Sequence, residues 1–172
     1  MRRRDLLAGA AGIGVAGLGA GAVYGDVFGG DDAMASVDLP RIEAPGSPPG
    51  TETVPEPGRV TLVEVFATWC SVCARSMAPL SEVAASVADA QVVSVTNEPV
   101  GQTVTEDDVA EWWREHDGDW PVAYDPELTL TERLDAAGVP YTVVLDADNR
   151  IVSTARGHQS AERLRERLAA AR

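Results

Sequence analysis

Val63-Glu64-Val65-Phe66-Ala67-Thr68-Trp69-Cys70-Ser71-Val72-Cys73 is the stretch on which the reading of this chain turns. It closes a β-branched, apolar run from Val60 to Phe66 that has the length of a buried strand. Directly after it, Cys73 to Ala88 carries Met77, Leu80, Val83, Ala84 and Val87 at helical spacings. A strand thus runs into a helix, with the chain's two cysteines at the junction. A lone C-x-x-C is half a zinc site, a structural disulfide or a redox pair. A closed zinc site needs four ligands, and His116 and His158 stand isolated. A structural cross-link over so short a loop gains little from chain entropy. The redox alternative gains from position: at a helix N-terminus, unpaired N–H groups and the macrodipole stabilise a thiolate at Cys70. Cys73, one turn on, lies under it, so Cys70 is expected to attack and Cys73 to resolve.

Working towards the C-terminus, Gln91 to Thr96 reads as a second buried strand, and Thr105-Glu106-Asp107-Asp108 as a helix start leading into Val109, Trp112 and Trp113. Trp120 to Tyr124 is a short strand. Asp125-Pro126 places a capping acceptor before a first-turn proline and predicts a helix through Leu130, Leu134 and Ala137, ended by Gly138. Tyr141 to Leu145 and Ile151 to Ala155 flank Asp146-Ala147-Asp148-Asn149 in a hairpin pattern. Ala161, Leu164 and Leu168 give a last amphipathic helix. The order β-α-β-α-β-α-β-β-α requires an α/β fold: a mixed central sheet with helices on both faces, three layers in all. Trp112, Trp113 and Trp120 are read as core filling rather than a docking patch.

These residues resemble a known family. The Val63 to Cys73 stretch, followed by Gly138-Val139-Pro140 and Tyr141 to Asp146, looks like the thioredoxin superfamily over residues 59–172, and the Ala67-Thr68-Trp69-Cys70 wording narrows this to its TlpA/ResA-like branch of exported proteins. The resemblance implies a thioredoxin-like fold and a thiol–disulfide oxidoreductase whose only redox group is the Cys70–Cys73 disulfide. It makes Pro140 the family's cis-proline, exposing backbone to a client strand, with Val139 lining the same contact. It also puts Glu64, six residues before Cys70, at the family's buried carboxylate position. An acid inside an apolar strand has a raised pKa unless it finds a partner, which suits a proton acceptor for the Cys73 thiol. Trp69 is expected to flank and shield the pair. Two features depart from the pattern: Pro79 is six residues after Cys73 where the family has five, and Ser71-Val72 lacks the proline common between the cysteines.

Working towards the N-terminus, residues 26–58 change to Gly, Pro, Asp and Glu and read as a linker, within which short strands fit Val37 to Glu43 and Thr51 to Val54. Residues 1–25 read as an address. Arg3-Arg4 with Leu6-Leu7 behind resembles a twin-arginine export signal. The uncharged run Leu6 to Tyr24 approaches bilayer length, yet contains six glycines. Ala20-Gly21-Ala22 is a small-residue cleavage site, and uncleaved retention makes the segment a membrane anchor. Either way the remainder lies outside the cytoplasmic membrane, the oxidising side where disulfide chemistry has substrates.

The chain has 172 residues, and its 14 basic residues are all arginine against 27 acidic ones, for a net charge of −13. Nucleic acid is excluded as a partner, because tracking phosphates needs clustered positive charge. Without Met1 to Ala22 the balance is −15, which fits a high-salt habitat where Asp and Glu hold hydration; an ordinary acidic protein is the alternative. The expected activity is an exported protein-disulfide reductase of the cytochrome c maturation or copper-site assembly type. Its partners are a cysteine-containing client and a membrane or extracytoplasmic thiol donor, and the protein is expected to be a monomer. A metallochaperone holding copper on Cys70, Cys73 and His158 is the alternative, since soft thiolates with imidazole suit that ion.

Overall fold

The structure is a computed structural model and describes residues 33–172; the expectations for the N-terminal address lie outside these residues. Five strands make the central sheet: β3 (Thr61–Phe66), β4 (Gln91–Thr96), β5 (Val122–Tyr124), β6 (Tyr141–Leu145) and β7 (Ile151–Arg156), in the order β5-β4-β3-β6-β7. β3, β4 and β5 run parallel, whereas β6 is antiparallel to β3 and β7 to β6. Four helices accompany them: α1 (Ser71–Ser86), α2 (Glu106–Glu115), α3 (Thr129–Arg133) and α4 (Ala161–Ala170). The expected element order is thus the observed one.

Side-chain alternation splits the apolar residues into two cores. Leu62, Phe66, Val92 and Val144 face the helices α1, α2 and α4. Val63, Val65, Val93 and Val143 face Leu130 and Leu134 around α3. Such two-sided burial explains why β3 and β4 are near-continuous apolar runs rather than alternating ones. The tryptophans fill the first core, as expected: Phe66 stacks on Trp112 with centroids 5.0 Å apart, and Trp113 meets Trp120 edge-on at 4.6 Å. Gly118 is required beside them, because a Cβ there would lie 2.3 Å from the Trp113 ring.

Local chemistry explains most element boundaries. Thr105 and Asp108 form a reciprocal capping box at α2, and Ser160 accepts from the Arg163 N–H at the start of α4. The Asp125 cap is a correction. Its carboxylate Oδ2 accepts from the N–H and hydroxyl of Thr131, six residues on, so 126–128 form a turn and the helix shrinks to Thr129–Arg133. Leu128 sits in the left-handed region, at φ 54°, to make that turn.

The linker expectation also needs correction. Within residues 33–58, β1 (Val37–Pro40) and β2 (Thr51–Val54) pair antiparallel, close to where short strands fitted. Leu39, Ile42 and Val54 are buried. Ile42 donates its N–H to the Val122 carbonyl, and the Ser47 hydroxyl bridges both backbone groups of Val122. The hairpin therefore covers the β5 edge of the sheet, an exposure that would otherwise invite pairing with another chain. Composition pointed to a tether because three well-placed aliphatic side chains are lost in the average over a Pro- and Gly-rich stretch.

Candidate active site

The parallel strands β3, β4 and β5 all end on one side of the sheet, and so do the antiparallel start of β6 and end of β7. The redox residues gather there. Backbone turns as Cys70 N–H donates to the Ala67 carbonyl, and α1 begins at Ser71 with Cys70 as its N-cap. The Cys70 sulfur accepts from the Cys73 N–H at 3.1 Å, the first-turn donor that stabilises negative charge on this sulfur once the pair is reduced. Cys70 and Cys73 are joined in a disulfide, with Cα atoms 5.2 Å apart. They are 6% and 2% exposed, so Cys70 is the more accessible. Trp69, immediately before them in the chain, is 75% exposed. Pro79 lies within α1, which continues past it to Ser86.

The Val139–Pro140 peptide is cis. Pro140 is buried, whereas Val139 is half-buried and packs against both cores. Gly157 N–H donates to the Pro140 carbonyl at 3.0 Å, tying the segment after β7 to this turn.

Glu64 is 3% exposed at the middle of β3, on the face that carries Leu62 and Phe66 and packs against α1 with its two sulfurs. Its cross-strand neighbour Thr142, two residues after Pro140, donates its hydroxyl to Glu64 Oε2 at 2.6 Å. Burial pushes the Glu64 carboxyl from 4.5 up to about 7, and the Thr142 hydrogen bond offsets only part of that. A carboxyl at that value exchanges a proton near neutral pH.

A second acid escaped the sequence reading. Glu98, just beyond β4, is 7% exposed. Its carboxylate accepts from the Thr68 N–H at 2.8 Å, the Thr68 hydroxyl at 2.9 Å and the Thr96 hydroxyl at 3.0 Å. It clamps the backbone just before Trp69 and Cys70 to the end of the neighbouring strand. The available signal was its place: an acid at the C-terminal end of a parallel strand next to the one leading into the cysteines, where α/β proteins gather functional groups.

The copper set does not assemble. The two sulfurs are bonded to each other, and the exposed His158 places Nδ1 3.5 Å from the Ser76 hydroxyl on α1. No group of three or more His, Cys, Asp and Glu side chains fit to hold a metal ion occurs among the described residues. His158 is distant in sequence, so only the path of the loop after β7 could decide this.

A disulfide capping a helix at the end of a parallel strand, beside a cis-proline turn, defines a thioredoxin-like thiol–disulfide oxidoreductase acting on cysteine-containing substrates. Comparison with known proteins gives the family: the Redoxin profile matches residues 31–170, and the chain belongs to that family. The fold is shared with StoA from Bacillus subtilis (18% identity, 77% of this chain and 96% of that one, TM-score 0.66). It is shared too with the exposed lipoprotein thioredoxin Etrx1 from Streptococcus pneumoniae (22% identity, 79% and 99%, TM-score 0.67). A third such structure is a secreted Mycobacterium tuberculosis disulfide oxidoreductase homologous to Escherichia coli DsbE (15% identity, 78% and 95%, TM-score 0.65). No curated protein matches. No helix among the described residues is long and apolar enough to cross a membrane.

Proposed function

We propose that this chain is an exported reductant of protein disulfides, of the type that serves cytochrome c maturation or copper-site assembly. The observation that carries the reading is Glu64, a buried acid with its pKa raised to about 7 on the face that packs against the redox helix. In the reductive direction the Cys70 thiolate attacks a client disulfide, forming a mixed disulfide and releasing the client's other sulfur as a thiolate that takes up a proton. Cys73 then attacks the Cys70 sulfur. It must first lose its proton, which Glu64 accepts, and the client's second sulfur leaves as a thiolate that takes up a proton, leaving Glu64 free to release the one it holds. Two electrons pass to the client, whose two thiols take one proton released by Cys73 and one from solvent, and the Cys70–Cys73 disulfide forms; an extracytoplasmic thiol donor restores the dithiol. Trp69, Val139 and Pro140 form the client contact, and the protein works as a monomer.

Export is supported by the arginine-led N-terminal segment, and retention of that segment anchors the protein to the membrane. The acidic surface is adapted to salt, and loss of the fold on dialysis into low salt is the expected behaviour. Reduction of insulin disulfides by the dithiol form, abolished by Cys70→Ser, tests the activity. Equilibration against a glutathione series tests the direction: a potential near about −270 mV marks a reductant, and one near about −120 mV would make the protein an oxidant.

A further inference from the structure

The surface beside the cis-proline turn carries a cation that the exchange chemistry does not use. Arg156, the last residue of β7, is exposed and pairs across the sheet with Tyr141, the residue after Pro140. Its guanidinium lies over the Tyr141 ring, 4.7 Å from the centroid. It also reaches the other side of the turn: a Cβ built on Gly138 would lie 4.0 Å from Arg156 Nη1. Of the arginines from residue 33 onward, six are in ion pairs with carboxylates. Arg156 has no such partner among the described residues, although the chain carries 27 acids. Stacking on an aromatic ring holds a guanidinium in place while leaving its N–H fork open, and that planar fork matches a carboxylate.

We propose that Arg156 is a specificity-determining residue that favours client segments with an Asp or Glu close to the reacting cysteine. The proposal rests on the reading above, that clients lie against Val139 and Pro140. The dispersed charge of −13 repels anionic segments at long range, but this field is screened beyond about 10 Å at 0.1 M salt. Within that distance the unpaired guanidinium at the turn sets the local sign. Gly138, having no side chain, leaves the space between the fork and the client backbone open.

The test uses the reduced protein and two cysteine peptides capped as mixed disulfides with 2-mercaptoethanol, identical except for Glu or Lys at both second neighbours of the cysteine. The readout is the ratio of the two reaction rates within each protein. Arg156→Gln should lower the Glu-to-Lys ratio by about two- to five-fold, the range for an exposed ion pair. Arg114→Gln removes the same charge from the C-terminal part of α2 and should leave the ratio unchanged. A measurement without any change at Arg156 uses Cys73→Ser to trap each peptide on Cys70: the Glu peptide should shift the Arg156 Nε–H NMR resonance and the Lys peptide should not. Equal ratios in the wild type and Arg156→Gln, an equal fall in Arg114→Gln, or the same NMR shift from both peptides would overturn the proposal alone. Failure of the wild-type dithiol to reduce 2-hydroxyethyl disulfide, which carries no charge, would overturn the reductase reading and this proposal with it.

Discussion

Glu64 and Glu98 are both buried acids, one in the strand that leads to Cys70 and one bonded to the loop between that strand and Cys70, and they are held in contrasting ways. Glu64 is buried with a single hydroxyl donor, from Thr142, so its charged form is poorly supported and its pKa climbs to about 7. Glu98 takes three donors, one of them a backbone N–H, and functions as a fixed clamp on Thr68. The lesson is that burial alone does not assign a role to an acid. The donors around it matter as well: one hydroxyl leaves the Glu64 carboxyl raised, whereas three tie Glu98 to the loop before Cys70.

The largest effect that separates the two belongs to Glu64→Gln. At pH 7 it should slow resolution of the mixed disulfide by about 100-fold, the lower range for loss of a general acid–base group, with attack by Cys70 little changed. Quenched-flow release of a client from a trapped mixed disulfide measures it; an unchanged rate removes the proton-acceptor role. The same variant alters stability with a defined sign. The folded protein holds the Glu64 proton up to about pH 7, the unfolded chain only to about 4.5. Between those values the folded state binds more protons, so wild-type stability falls as pH rises, by about 3 kcal/mol in all. Glu64→Gln should lack this loss, and urea unfolding from pH 4 to pH 8 compares the two.

Glu98 should act on stability rather than on the exchange step. Glu98→Ala leaves the Thr68 N–H without a partner and is expected to destabilise the protein by about 2 kcal/mol. Glu98→Gln keeps an acceptor for the backbone N–H and should recover about half of that. If Glu98→Gln slowed resolution of the mixed disulfide as much as Glu64→Gln, the contrast between proton acceptor and clamp would collapse.

Glu64 could be read from the sequence because its signal is local: a single acid inside an apolar strand, at a fixed distance from a cysteine pair. The strand-to-helix junction, the capping box of α2 and the β6–β7 hairpin were legible for the same reason, since adjacent residues determine them. Glu98 was not, because its three donors come from Thr68 and Thr96, and Thr68 lies 30 residues away across a strand pair. The short strands over residues 37–54 were legible but their packing was not: it depends on Val122 at the edge of β5, 75 residues after Ser47. Asp125 misled in the reverse direction. A plausible local cap was present, but Thr131 made the better partner once the turn at Leu128 brought it round.

The smallest expected effect on stability sharpens the contrast from outside. Trp69 lies one residue beyond the segment that Glu98 clamps, yet its side chain is mostly in solvent, so Trp69→Ala should change stability by no more than about 0.5 kcal/mol. Under the proposed function this exposed apolar surface is part of the client contact. Trp69→Ala should therefore slow reduction of insulin several-fold while leaving that of 2-hydroxyethyl disulfide, too small to make that contact, close to the wild-type rate. Equal slowing on both would mean that Trp69 acts on the sulfurs themselves. In that case the clamp from Glu98 would be positioning Trp69 for chemistry rather than for contact.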